Sequence, residues 1–187
     1  MDFTPMLIAI AVVVVLASWF VLHAYNRLVR MRNNVRNAWA DVDVQLTLRH
    51  DLVPNLVESV KGYMSHERQT LEAVAQARSA AMNAGADLVT RAAAEMALGS
   101  AVGNLFLTAE RYPDLKASQN FLLLQEQLTT TENRIAFARQ HYNEMVRQFN
   151  TLIAELPWNL MAAQFGYTPE KLFAASPQDR ATVQMAS

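Results

Sequence analysis

The 187-residue chain contains no cysteine. This excludes disulfides, thiolate metal sites, a cysteine nucleophile and a lipidated N-terminal cysteine. Glycine and proline are scarce, at five and six residues, too few to punctuate a β-sandwich or barrel, and a helix-forming composition is left. Excess charge is missing as well. Sixteen Lys and Arg stand against seventeen Asp and Glu for a formal net charge of −1, so there is no basic field of the kind nucleic acid requires. Gly-x-Ser-x-Gly, His-Glu-x-x-His and Gly-rich phosphate loops do not occur, so no motif names a nucleophile, a metal, a nucleotide or another cofactor. The chain reads as non-enzymatic.

What is present begins with "MLIAIAVVVVLASWFVL", Met6 to Leu22, seventeen residues with only Ser18 polar. A helix needs roughly 20 apolar residues to cross the hydrocarbon, so this run, helped by Phe3 and Tyr25, is a short spanning segment. Trp19 and Tyr25 stand near its far boundary, where amphipathic rings prefer to lie. Arg27, Arg30, Arg32 and Arg36 follow, with no acid before Asp41. The positive-inside rule therefore predicts a single-pass membrane protein, N-terminus outside and body in the cytoplasm. The same arginines can touch anionic lipid head groups.

Beyond the run, Leu28, Met31, Val35, Ala38 and Val42 recur at helical steps, widened by Trp39 and Leu46. These predict that the membrane helix continues to about Arg49. Asp51 then reads as a helix cap and Pro54 as a first-turn residue, opening a second helix that runs to about Asn83. Gly85 separates it from a third helix, about Leu88 to Glu110, capped by Asp87 and thinned by Gly99 and Gly103. Phe121, Leu128, Ile135, Tyr142, Phe149 and Leu156 are spaced by seven, predicting a long coiled-coil-like helix ended by Pro157. The fold class expected is all-α: a transmembrane helix continuing into an antiparallel, four-helix-type bundle. Residues 1–26 form the external terminus and span, 27–175 the bundle, and 176–187 a flexible tail.

"LTLRHDLVPNLVESVKGYMSHE" concentrates polar residues, and His50, Asp51, His66 and Glu67 are the right atoms for a metal. Their spacing nominates no shared site, and capping and register account for more of them. Arg49 and Lys61 can reach acids across a bundle, such as Glu132 or Glu144. Asn120, Asn133, Asn143 and Asn150 stud the long helix, where an inward-facing Asn would fix register.

The stretch "YNRLVRMRNNVRNAWADVDVQLTLRHDLVPNLVESVKGYMSHE" resembles the signature of the bacterial LemA family. The likeness continues through "LEAVAQAR", "YPDLKASQNFLLLQEQLTTTENRIAFARQHYNEMVRQFNTLIAELPWN" and Phe165-Gly166, covering Tyr25 to Phe173. Val42 and Val53 depart from it where Ile is common. The resemblance implies long antiparallel helices behind an N-terminal span. It carries over no activity, cofactor or catalytic residue, and its magnetosome-associated relatives imply, by analogy, work on membrane shape or organisation.

The leading expectation is a membrane-anchored scaffold that self-associates on membrane lipid as a homo-oligomer, through a rod-like helical bundle, to organise or shape the bacterial inner membrane. Trp39, Leu46, Phe121, Leu128 and Ile135 are its candidate self-association or core residues. Two other classes stand beside it: an adaptor that binds another membrane protein or protease through its bundle surface, and a hydrolase or metal-dependent enzyme centred on His50, Asp51, His66 and Glu67.

Overall fold

A computed structural model describes residues 3–85 and 87–173. These form six helices, with no strand among the described residues: α1 (Thr4–Lys61), α2 (Arg68–Met82), α3 (Leu88–Ala109), α4 (Pro113–Lys116), α5 (Gln119–Ala154) and α6 (Trp158–Gln164). The described residues divide into two compact units, those up to 37 with 144–171, and those from 38 to 143 with 172 and 173. The expected flexible tail, 176–187, lies outside the described residues.

In the second unit the part of α1 from residue 38, α2, α3 and α5 up to residue 143 pack as an up-down-up-down bundle. The contacts fix the directions. Arg49 meets Glu132 and Trp39 meets Tyr142, so α1 and α5 are antiparallel. Asp43 and Arg49 meet Arg91 and Glu95, so α1 and α3 are parallel. Ala38, Val42, Leu46, Val53, Leu56 and Val60 repeat every three to four residues apart from the step holding Arg49, and all are buried, the last three in one cluster with Leu98, Leu105, Leu124 and Leu128. Phe121, Leu128, Ile135, Tyr142 and Phe149 are buried at the expected heptad positions of the 36-residue α5. Leu156, the sixth, is exposed beyond the helix end.

The break expected at Asp51 and Pro54 is not there. Helix α1 passes through Pro54 and ends at Lys61, with residues 62–67 turning the chain into α2. Asp51 is an exposed mid-helix residue, not a cap. Pro54 has no N–H, so the His50 carbonyl, four residues back, loses its helical donor. Arg78 Nε of α2 donates to that carbonyl at 2.8 Å instead. A tertiary hydrogen bond thus replaces the one that proline removes, and the helix carries on.

The expected α2–α3 boundary matches. Helix α2 ends at Met82, Gly85 adopts φ +70, and the Asp87 carboxylate accepts from Thr90 N at 3.0 Å to cap α3. Both Gly99 and Gly103 lie inside a continuous α3. A side chain at Gly103 would meet nothing within 4 Å, so this glycine serves no close helix contact.

The first unit joins α1 up to residue 37, α5 from Glu144, and α6. Ala24, Leu28 and Val35 are buried with Val146, Phe149, Leu152 and Ala162. Asn150 donates to the Glu170 carbonyl and accepts from Glu170 N, both at 2.9 Å. In the second unit Asn143 clamps the Phe173 backbone the same way, at 3.1 and 2.9 Å. These two asparagines hold backbone of the extended segment after α6, while Asn120 and Asn133 are exposed.

Candidate functional site

Residues 6–22 build the first candidate site. From Leu7 to Trp19 every side chain is exposed, Phe20 alone in the run is partly covered, and the most apolar window has a mean hydropathy of 2.6. The segment is long and apolar enough to cross a membrane. Helix α3 also meets that test, at 1.2, but it is one-third buried in its own bundle and contains the buried carboxylate Glu95. A surface like that of α1 residues 6–22 has no stable resting place in water, and lipid supplies one.

Of the four arginines after the run, Arg27 lies 4.7 Å from the Trp158 ring centroid. Arg32 lies 5.4 Å from that of Tyr167 and pairs with Glu170 at 3.9 Å. Arg30 and Arg36 are exposed.

The second candidate is an ionic cluster inside the bundle. Arg49 and Glu95 are each only 3% exposed and form a direct pair. Arg49 also donates to the Glu95 carbonyl at 3.1 Å and to Glu132 Oε2 at 2.8 Å. His50 Nε2 lies 3.0 Å from the other Glu95 oxygen. Burial pushes the Glu95 carboxyl up, but hydrogen bonds from His50 and Arg49, with the Arg49 charge, outweigh it and hold it below the ordinary value. A cleft of about 450 Å³ opens beside the cluster, lined by Arg49, Glu95, Gly99, Glu132 and Arg139 among others. The Glu95 carboxyl is held toward its ionised form, facing the Arg49 guanidinium. The cluster ties α1, α3 and α5 together.

The expected metal-type residues are dispersed. His50 belongs to the cluster, Asp51 is exposed on α1, and His66 is exposed in the turn. Glu67 accepts from Arg111 at 2.9 Å and from the Tyr112 hydroxyl at 3.1 Å. Among the described residues no three His, Asp or Glu side chains converge as metal ligands would. Arg49 does reach Glu132. Lys61 pairs instead with Glu58 and Glu144 with Arg147.

Leu46, Phe121, Leu128 and Ile135 are buried within the bundle, and Trp39 is half-buried against Tyr142 and Phe173. Within this chain the first four lie in the core and Trp39 at its edge. Glu95 and Arg78 were missed from the sequence. A signal for Glu95 existed: it is the lone acid on the stripe Ala92, Leu98, Val102 and Leu105.

The fold and these surfaces define an all-α protein in which an N-terminal apolar helix of membrane-anchor type enters a helical bundle. The chain belongs to the LemA family, whose profile matches residues 38–186. It is similar to Protein LemA of Metamycoplasma hominis, 28% identical over 84% of this chain and 72% of that protein. It is also similar to Magnetosome protein MamQ 2 of Paramagnetospirillum magneticum, at 23% identity over 83% of this chain and 66% of the relative. Magnetosome protein MamQ of Magnetospirillum gryphiswaldense aligns over the same shares at 22%.

Proposed function

We propose that the protein is a membrane-anchored, non-enzymatic scaffold that self-associates through its helical bundle to organise or shape the bacterial inner membrane. One observation carries this reading: α1 is helical from Thr4 to Lys61, so the lipid-facing run and a wall of the bundle core belong to one element with no linker. The similarity to magnetosome proteins supports the shaping role. Arg27, Arg30, Arg32 and Arg36 favour a bundle on the cytoplasmic side.

Self-association then uses residues other than those buried in the core. Val44 and Leu48 of α1 and Leu123 and Phe137 of α5 are exposed, Phe137 at 71%. Leu48 and Leu123 line one groove with Glu126 and Arg134. Opposite charges on a single patch suit a two-fold copy, which would pair each with the other.

The chain has no native cysteine, so single-cysteine cross-linking in membranes tests this directly. Phe137→Cys should give a disulfide-linked dimer on mild oxidation, and Glu58→Cys, at an exposed polar site, should not. No dimer from Phe137→Cys, Val44→Cys or Leu123→Cys rejects this face. Cross-links to a different polypeptide would favour an adaptor.

A further inference from the structure

We propose that α6 and the turn before it form a second membrane contact, lying in the lipid interface beside the span. This rests on reading residues 6–22 as a membrane anchor. Between Glu155 and Glu170 the chain carries no charged residue. A short helix facing water on its outer side ordinarily carries charge there. On α6 that side is uncharged: Leu160, 61% exposed, shares it with Gln164, while Ala162 on the opposite face is buried. Leu156, 74% exposed, adds apolar surface in the turn before the helix. Phe165 is exposed as well.

The position of α6 within its unit identifies what covers this face. The Trp158 ring lies 6.0 Å from Phe20 and 6.4 Å from His23, at the end of the apolar run. Phe165 packs edge-on against Tyr25 at 5.1 Å. So α6 stands at the level where hydrocarbon gives way to head groups. Trp and Tyr prefer that depth, and Arg27, over the Trp158 ring, can reach a lipid phosphate from it. The outer face of α6 is thereby continuous with the lipid-facing surface of the span. Leucines at such a face insert into the acyl boundary while the helix lies flat, as interfacial helices do.

The test uses the full chain in phosphatidylcholine–phosphatidylglycerol vesicles with one nitroxide label at a time. Leu160→Cys is the probe, Val13→Cys in the run the lipid control, and Glu58→Cys the water control. At Leu160 the label should collide more often with oxygen than with a water-soluble nickel chelate, as at Val13 but less strongly, while Glu58 shows the reverse. If Leu160 behaves like Glu58 while Val13 reports lipid, the proposal fails and the anchor stands. If Val13 reports water, the anchor reading fails and takes this proposal with it. A Leu160 label shielded from both reagents and immobilised means protein covers the face, which also overturns the proposal.

Discussion

Arg49 and Glu95 face each other in the bundle at 3% exposure, and their value to the fold depends on both being present. Removing one partner leaves the other charge buried and uncompensated, a loss of roughly 3–5 kcal/mol in such sites. Glu95→Gln should therefore lower the unfolding free energy strongly in urea titration. Glu132→Gln, whose side chain is 54% exposed, should cost roughly 1 kcal/mol or less, because water takes over its role. Equal costs for the two would contradict the account. The same carboxylate sets a pH dependence. Its pKa in the fold is held below the unfolded value of 4.5. Its contribution is thus fully present above that value and fades as pH falls through the depressed folded one. Acid titration of stability should be shallower below about pH 4.5 in Glu95→Gln than in the wild type, where the full carboxylate term operates.

At the scale of an element, Pro54 and Arg78 act as a pair. Arg78→Met leaves the His50 carbonyl without a donor and should destabilise by roughly 1.5–3 kcal/mol, as loss of a charged hydrogen bond does. Pro54→Ala restores the backbone N–H, so the same Arg78 substitution should cost markedly less in that background. Additive effects in the double-mutant cycle would show that Arg78 does not substitute for the missing helix bond. This pair also marks the limit of sequence reading. The α2–α3 boundary and the α5 heptads were legible because Gly85, Asp87 and the seven-residue spacing act locally. The path through Pro54 was not, because the donor that rescues the helix comes from Arg78, 28 residues away. Arg49 with Glu132 could be anticipated from helix pairing. Glu95 could not be matched to Arg49 before the third helix had been placed parallel to the first. Asn143 and Asn150 were visible as unusual, yet their partners are backbone atoms of Phe173 and Glu170, which no spacing rule reaches.

At the scale of the whole molecule, the LemA profile over residues 38–186 covers the bundle, and the exposed apolar run of α1 lies N-terminal to it. A scaffold of this kind makes its membrane-bound form an assembly, whereas an adaptor or a lone anchored protein leaves it a single copy. The groove holding Leu48 and Leu123 is the contact expected to hold copies together, and the interfacial α6 would keep each copy seated at the bilayer. The mass of the full-length chain, reconstituted at low density into lipid nanodiscs and also solubilised in mild detergent, separates these cases directly. The account predicts a defined species of two or more copies in both media, reduced to one copy by Phe137→Glu. A single copy in both media for the unaltered chain would contradict it.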